Sequence, residues 1–149
     1  AFARMKRSGV RALTVTLLGG ALLACAVVGV GVTPTQLEGT RWTLSSLGAD
    51  RAPIAETQTE AYLEFGSVPG RVSGSGGCNR LTCSYAIRGD EIELGAIAAT
   101  RMACERGMDT EQSLEAALAA TSKWAIVGEQ LELHSADGRL LATFTARKL

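Results

Sequence analysis

The chain of 149 residues has room for one domain and an appendage, and its 46% hydrophobic and 20% charged content excludes intrinsic disorder. The formal net charge of zero is the sum of two unlike parts: a basic N-terminal segment before Leu37 (the basic head) and an acidic remainder from Leu37 onward (the body). All charged residues before Glu38 are basic, whereas 11 basic and 15 acidic residues follow from Leu37 onward, a net charge of −4. An acidic body argues against nucleic acid as a partner.

A membrane-targeting segment is predicted over residues 1–32, where basic residues precede 21 uncharged residues at 12–32. Three interpretations compete. The segment Leu22–Cys25 resembles the cleavage motif of a lipoprotein signal, with Cys25 as the lipidated residue, and we favour this interpretation. Ala24-Cys25-Ala26 also suits ordinary signal-peptide cleavage, and about 20 apolar residues suffice for an uncleaved membrane anchor. Each interpretation places the body of the chain in the cell envelope, in the periplasm or on the outer face of a bacterial membrane.

About seven or eight short strands are predicted for the body, residues 37–149, which follows a short polar linker at 33–36. Apolar residues alternate with polar ones between turn residues, and this pattern indicates antiparallel β-strands. Six of these strands can be placed, and they are centred on the following groups: Trp42 and Leu44; Leu63 and Phe65; Leu81, Cys83, Tyr85 and Ile87; Ile92 and Leu94; Leu131 and Leu133; Leu140, Ala142 and Phe144.

Helical spacing replaces the alternation from Thr110 to Lys123. The predicted apolar face contains the residues Leu114, Ala117, Leu118 and Thr121. Glu111 and Glu115 are expected off that face, and Asp109 and Gln112 are expected to form a capping box. A single helix of this length must pack on the sheet to be stable. The predicted fold class is therefore α+β, a curled antiparallel sheet (a partial barrel) with one packed helix.

The body contains three cysteines, which allow one disulfide and one free thiol in an exported domain. Cys83 shares the inward face of its strand with Leu81 and Tyr85, so we interpret it as a small buried hydrophobic residue. Cys78 and Cys104 lie in predicted loops where two segments can meet. We favour a Cys78–Cys104 disulfide, with Cys83–Cys104 as the alternative pairing.

A zinc site is another possible use of these cysteines, because His134 would complete a set of three cysteines and one histidine. The spacing is not that of zinc fingers or ribbons, and His134 is expected to point away from Leu131 and Leu133, toward solvent. We therefore expect no metal and no cofactor. We also expect no enzymatic activity, because His134 is the lone histidine and no nucleophile-elbow motif is present.

Two segments, Ser73–Arg80 and Ala99–Cys104, have an unusual composition of glycine, small, polar and basic residues around a cysteine. The first is a glycine-rich loop without the Lys-Ser or Lys-Thr of a phosphate-binding loop. Arg80 and Arg101 are candidates for contact with an anion or ligand. The competing interpretation, which we favour, is a structural corner that joins the two loops.

With these segments, residues 37–149 resemble the META domain of HslJ-like bacterial envelope proteins. The resemblance is carried by Leu37–Trp42, Gly76–Arg80, Thr100–Cys104, the helix Met108–Leu118 and the closing hairpin with Leu131–Leu133 and Asp137-Gly138. The chain departs from the family pattern at Cys83, where a small residue is usual, and at Glu105, where proline is frequent.

The resemblance implies a small α+β domain of exported proteins and lipoproteins, some of them associated with heat or antibiotic stress, with no established catalytic activity. The family motif suggests these positions for any binding: Gly77, Asn79, Arg80, Thr100, Arg101 and Met102. We expect a non-catalytic envelope protein whose partners are the membrane, through the N-terminal segment or a lipid on Cys25, and an unidentified envelope protein or small ligand. The alternative is an exported thiol-redox or small-ligand-binding protein that uses Cys83, Cys104 and the loops of Arg80 and Arg101.

Overall fold

The structure, a computed structural model, describes residues 35–66 and 70–147, so the predicted targeting segment and Cys25 lie outside it. The described residues form ten strands and one helix. Their bounds are β1 Arg41–Leu47, β2 Ala52–Pro53, β3 Tyr62–Gly66, β4 Arg71–Ser75, β5 Arg80–Arg88, β6 Glu91–Leu94, β7 Ala98–Ala99, α1 Met108–Ala120, β8 Lys123–Val127, β9 Gln130–His134 and β10 Leu140–Arg147.

Eight of these strands pair in a closed antiparallel ring. The order is β10-β9-β8-β6-β5-β4-β3-β1, and β1 pairs again with β10. The two-residue strands β2 and β7 are short additions to β1 and β5. The curled α+β sheet predicted from the alternation is thus confirmed. The six strands placed from the sequence correspond to β1, β3, β5, β6, β9 and β10 of the ring.

The core lies inside the ring because alternate residues of each strand point inward. Trp42, Leu63, Leu131, Leu133 and Phe144 are all fully buried. The Trp42 indole is polar at one edge, and its Nε1 donates to the Leu37 carbonyl oxygen at 2.9 Å. Residue Leu37 is itself part of the core.

The helix α1 packs against β10 and β1 and adds Leu114, Ala117 and Leu118 to the same core. The predicted apolar face is confirmed, but the predicted bounds 110–123 and the capping box are wrong. The N-cap is Gly107, without a side-chain cap, and Asp109 lies in the first turn. Glycine at this position has φ of 96°, a left-handed conformation that a residue with a Cβ adopts only with strain.

Two strands of the ring, β4 and β8, were not anticipated. The residues Ser73–Ser75 of β4 were assigned to the glycine-rich loop, and the predicted helix extended to Lys123, the first residue of β8. A second difference concerns β5, whose inward alternation holds for Leu81 and Cys83 but not for Ile87, which is 37% exposed. The last residues of β5 form a hairpin with β6, closed by a turn at Gly89-Asp90. The alternation therefore continues past the point where the core ends.

Candidate functional site

The two cysteine-bearing loops meet at a covalent corner. Cys78 and Cys104 form a disulfide with a Cα–Cα distance of 5.9 Å, and Cys83 is the free, buried cysteine among the described residues. The favoured pairing is therefore present, and the alternative Cys83–Cys104 pairing is not. Closure of a loop with a sequence separation of 26 residues stabilises the fold by roughly 3–4 kcal/mol on the chain-entropy account.

Asn79 is the centre of the hydrogen bonds at this corner and is only 2% exposed. Its Oδ1 accepts from the backbone N–H of Met102 at 2.7 Å and from the Thr100 hydroxyl at 3.0 Å. Its Nδ2 donates to the Met102 carbonyl at 3.2 Å and to Glu111 Oε1 at 2.7 Å. One amide thus joins the loop before β5, the loop before α1 and the helix itself, so its role is structural.

Glu111 is buried with 6% exposure, contrary to the expectation that it lies off the apolar face of the helix. Its spacing to Leu114 and Leu118 is i, i+3, i+7, which places all three on one face. Its carboxylate accepts the Asn79 N–H at 2.5 Å and the Asn79 Nδ2–H at 2.7 Å. The prediction was wrong because it assumed that a carboxylate is solvated, whereas here the amide supplies the donors that water would supply.

The carboxylate fits because Gly76 leaves space for it. A Cβ at Gly76 would lie 2.5 Å from Glu111 Cγ and 2.8 Å from Glu111 Oε2. The glycine-rich segment therefore permits close packing of the loop on the helix, which is the structural interpretation of this motif. A ligand has no access to Gly77 and Asn79, because both are buried.

The remaining motif residues are exposed, although the Thr100 hydroxyl and the Met102 backbone also bond Asn79. Arg80, Thr100, Arg101 and Met102 are all exposed, and Met102 has 58% exposure. The Arg80 backbone N–H donates to the Thr100 hydroxyl at 3.1 Å, which leaves the guanidinium outside the corner. The motif thus has a buried part, Gly77 and Asn79, and an exposed part in which Thr100 and Met102 also hold the corner while the side chains of Arg80 and Arg101 are available for contact.

A groove of about 630 Å³ lies beside this exposed part, on the outer face of β3, β4, β5 and β7. Arg80 and Thr100 belong to its lining, but Arg101 and Met102 do not. The other lining residues are Tyr62, Arg71, Ser73, Gly74, Leu81, Thr82, Ala98 and Ala99. Sequence reasoning missed Tyr62 and Arg71, which lie outside the two motif segments and reach the groove through strand pairing. It named Ser73 only as part of the glycine-rich segment and not as a candidate contact.

The histidine lies in a separate polar cluster. His134 Nε2 is 3.2 Å from Glu132 Oε2, and its Nδ1 is 3.3 Å from the Gly138 carbonyl oxygen. Arg51 donates to Glu132 Oε1 at 2.6 Å, and this hydrogen bond is the main cause that lowers the pKa of Glu132. Within residues 35–66 and 70–147, no hydroxyl or thiol hydrogen-bonds the ring of His134.

Cys83 lies on the inner face of β5, where burial raises the pKa of its thiol. A buried thiol with a raised pKa is a poor nucleophile and a poor metal ligand, because both roles require the thiolate. Cys78 and Cys104 carry no thiol, since they are joined to each other. In the described ranges, no group of three or more His, Cys, Asp and Glu side chains is arranged to hold a metal ion.

The helix in the described part of the chain lacks the length and apolar character to cross a membrane. Cys25 and the interpretations of the targeting segment lie outside the residues that the structure describes.

The fold and the corner define a class: a small α+β domain in which a closed ring of strands and one helix are joined at a disulfide. The META domain family model matches residues 35–148, and the chain belongs to this family. An NMR structure of a protein from Burkholderia xenovorans is similar with a TM-score of 0.63 and 27% identity, over 76% of this chain and 85% of that chain. A second NMR structure gives a TM-score of 0.59 and 25% identity, over 78% and 97% of the two chains. No curated protein matches this chain.

Proposed function

We propose that this META-domain protein is exported, is held at a membrane of the bacterial cell envelope by its N-terminal segment, and acts there by binding rather than by catalysis. The observation that carries the proposal is the Cys78–Cys104 disulfide at the centre of the fold. Disulfides persist in oxidising compartments and are rare in the cytosol. The basic head followed by 21 uncharged residues at 12–32 supports the same compartment.

Lipidation of Cys25 is the form of attachment that we propose. The residues Leu22–Ala24 before Cys25 suit a lipoprotein signal, and a lipid at Cys25 would leave only a short tether before the domain. One acyl chain gives marginal membrane binding, whereas two or three chains on one cysteine give stable attachment.

A binding role is supported by the way in which the candidate catalytic groups are used. The ring nitrogens of His134 lie next to a carboxylate and a backbone carbonyl, not next to a nucleophile. Glu91 and Glu93 are exposed on the outer face of β6, where a shared solvated face is the ordinary arrangement for carboxylates. The thiol-redox alternative is opposed by the burial of Cys83 and by its raised pKa.

The experiment is fractionation of bacteria that express the chain with its native signal, followed by intact-mass measurement of the membrane fraction. We expect a membrane protein whose mass includes acyl chains on Cys25 and lacks two hydrogens for one disulfide. Cys25→Ser should abolish acylation, and Cys83→Ser, the matched control in the body, should leave it unchanged. If the protein in the membrane fraction instead has the mass of the uncleaved chain without acyl groups, its attachment is an uncleaved membrane anchor and not a lipid.

The envelope proposal fails if the protein accumulates in the cytosolic fraction with Cys78 and Cys104 reduced. A contribution to heat or antibiotic tolerance is a further part of the proposal, because the family resemblance implies it for some members. Growth of a deletion strain under each stress tests it, with complementation by the native chain and by Cys25→Ser. Tolerance that does not depend on the gene would contradict it.

A further inference from the structure

We propose that the groove on the outer face of β3, β4, β5 and β7 binds a ligand that carries at least two oxyanion groups, phosphate or carboxylate, and engages both Arg71 and Arg80. The inference rests on the binding role proposed above and gives that role a site and a ligand chemistry. It follows from the positions of the two arginines, from the absence of acidic residues in the lining and from the chemistry of the groove floor.

Strand register places the two arginines at opposite ends of the groove. Arg71 on β4 is paired with Ser84 on β5, and Arg80 on β5 is paired with Ser75 on β4. The two pairs are four residues apart along the strands, which corresponds to roughly 13 Å at about 3.3 Å per residue. Both side chains are exposed and line the groove. A ligand between them would meet a guanidinium group at each end.

The charge of the groove is opposite to that of the domain around it. Its lining contains two arginines and no acidic residue, although the body from Leu37 onward has a net charge of −4. Five other arginines each lie within 4 Å of a glutamate, namely Arg41, Arg51, Arg88, Arg106 and Arg147. Among the described residues, no carboxylate lies within that distance of either groove arginine. Guanidinium groups without a partner carboxylate are well suited to bind phosphate or carboxylate in a bidentate manner.

The nearest outward-facing acid on β3 does not cancel this charge. Glu64 is paired with Ser73 in the sheet, which places it at the edge of the groove. Its Oε1 accepts a hydrogen bond from Arg41 Nε at 2.7 Å. Arg41 also lies over the ring of Tyr62, 4.2 Å from its centroid. The neighbouring carboxylate is thus neutralised by a third arginine.

The floor of the groove offers hydroxyl groups: Ser73 and Thr82 lie between the two cations, and Tyr62 lies in the row of Arg80. Thr82 Oγ1 donates to the Val72 carbonyl at 2.9 Å, so its donor is occupied. Tyr62 and Ser73 also line the groove, and in the described part of the chain neither hydroxyl has a protein hydrogen-bond partner. Ligand oxygens are the acceptors that these hydroxyls lack. Ala98 and Ala99 form an apolar wall at β7, which suits the carbon skeleton between two anionic groups.

The test measures binding of three soluble probes to the full-length protein purified in detergent: inorganic phosphate, a linear polyphosphate long enough to span the groove, and the tricarboxylate tricarballylate. Arg71→Gln and Arg80→Gln are compared with wild type by titration calorimetry at constant ionic strength. Arg88→Gln is the matched control, because Arg88 is an exposed arginine at the end of β5 and outside the groove. Melting temperatures should be the same for all three variants, since these substitutions remove no buried contact.

We expect each groove variant to weaken binding of a multivalent probe at least tenfold and the control variant to change it less than twofold. Inorganic phosphate, which reaches one arginine at a time, should bind more weakly than polyphosphate. If the groove variants lose affinity only for polyphosphate, the ligand is a phosphate compound. If they lose affinity only for tricarballylate, the ligand is a carboxylate compound. Equal affinities of the groove and control variants would overturn the inference, as would no binding of any probe by wild type. Neither result would change the fractionation outcome, which tests the envelope location independently.

Discussion

Replacement of Asn79 by alanine should destabilise the domain by about 4 kcal/mol, because the side-chain bonds of this buried amide hold the loop of Met102 and the helix α1 on the loop of Cys78, beside the disulfide. The substitution removes the amide's four hydrogen bonds with oxygen and nitrogen atoms, two with Met102, one with Thr100 and one with Glu111, and a weak one with Cys78 Sγ. Each intramolecular hydrogen bond contributes about 1 kcal/mol net, and a buried acceptor left without a donor costs about 1–3 kcal/mol more. In the alanine variant the carboxylate of Glu111 still accepts a hydrogen bond from the backbone N–H of residue 79, which limits the free-energy cost of keeping this carboxylate buried.

The measurement is urea unfolding followed by fluorescence of the buried Trp42 and the half-buried Trp124, with the free energy of unfolding extrapolated to water. Asn79→Asp is the isosteric comparison. It keeps the acceptor for Met102 but replaces the donor toward Glu111 with an oxygen, so it should be at least as destabilising as alanine. Gln58→Ala, at an exposed amide in a loop, is the control and should change the free energy by less than 0.5 kcal/mol.

A double-mutant cycle of Asn79→Ala with Glu111→Ala isolates the bond between them, for which we expect a coupling of about 1–3 kcal/mol. The reasoning is refuted if Asn79→Ala costs less than 1 kcal/mol. A coupling energy near zero would likewise refute the claim that the Asn79–Glu111 hydrogen bond stabilises the packing of the loop on the helix.

Three other substitutions or labels test separate parts of the structure. Gly74→Ala should cost at least about 3 kcal/mol in urea unfolding, because its Cβ would overlap the backbone carbonyl of Tyr62; a loss below 1 kcal/mol would contradict this contact. Glu132→Gln should lose about 1 kcal/mol at pH 7, a value kept small because Arg51 is 48% exposed. Since the pKa of Glu132 is lowered in the fold, its contribution is present above the ordinary glutamate pKa and disappears as the pH falls through the folded value. The difference from wild type should therefore narrow as the pH is lowered below the ordinary glutamate range, and a difference that is constant with pH would disprove the ion pair. Cys83 should resist a maleimide label in native buffer and react fully in urea, as read from the mass of its peptide; rapid native labelling would show that the thiol is accessible.

Local patterns in the sequence were sufficient for the elements that depend only on neighbours along the chain. Alternation in β5 placed Leu81 and Cys83 on the buried face, and helical spacing placed Leu114 and Leu118 in the core. The choice of Cys78 and Cys104 for the disulfide also followed from local information, because loops can meet while a strand residue such as Cys83 is committed to its face.

The candidate site depended instead on contacts between distant segments. Asn79 and Glu111 are 32 residues apart, and nothing in their local sequence indicates that one satisfies the other. Arg71 and Arg80 became the two ends of one groove only through the register of β4 against β5.

The amino-acid sequence by itself determined the α+β class and the faces of most strand residues, since short-range periodicity and turn residues fix which way each side chain points. It favoured the pairing of Cys78 with Cys104, and the structure decided between this pairing and the alternative. The tertiary structure alone decided the closure of the ring, the burial of Glu111 and the composition of the groove. The physical reason is that register and the packing of α1 bring together residues far apart in the chain, and only then does it become defined which polar groups are satisfied and which remain available to a ligand.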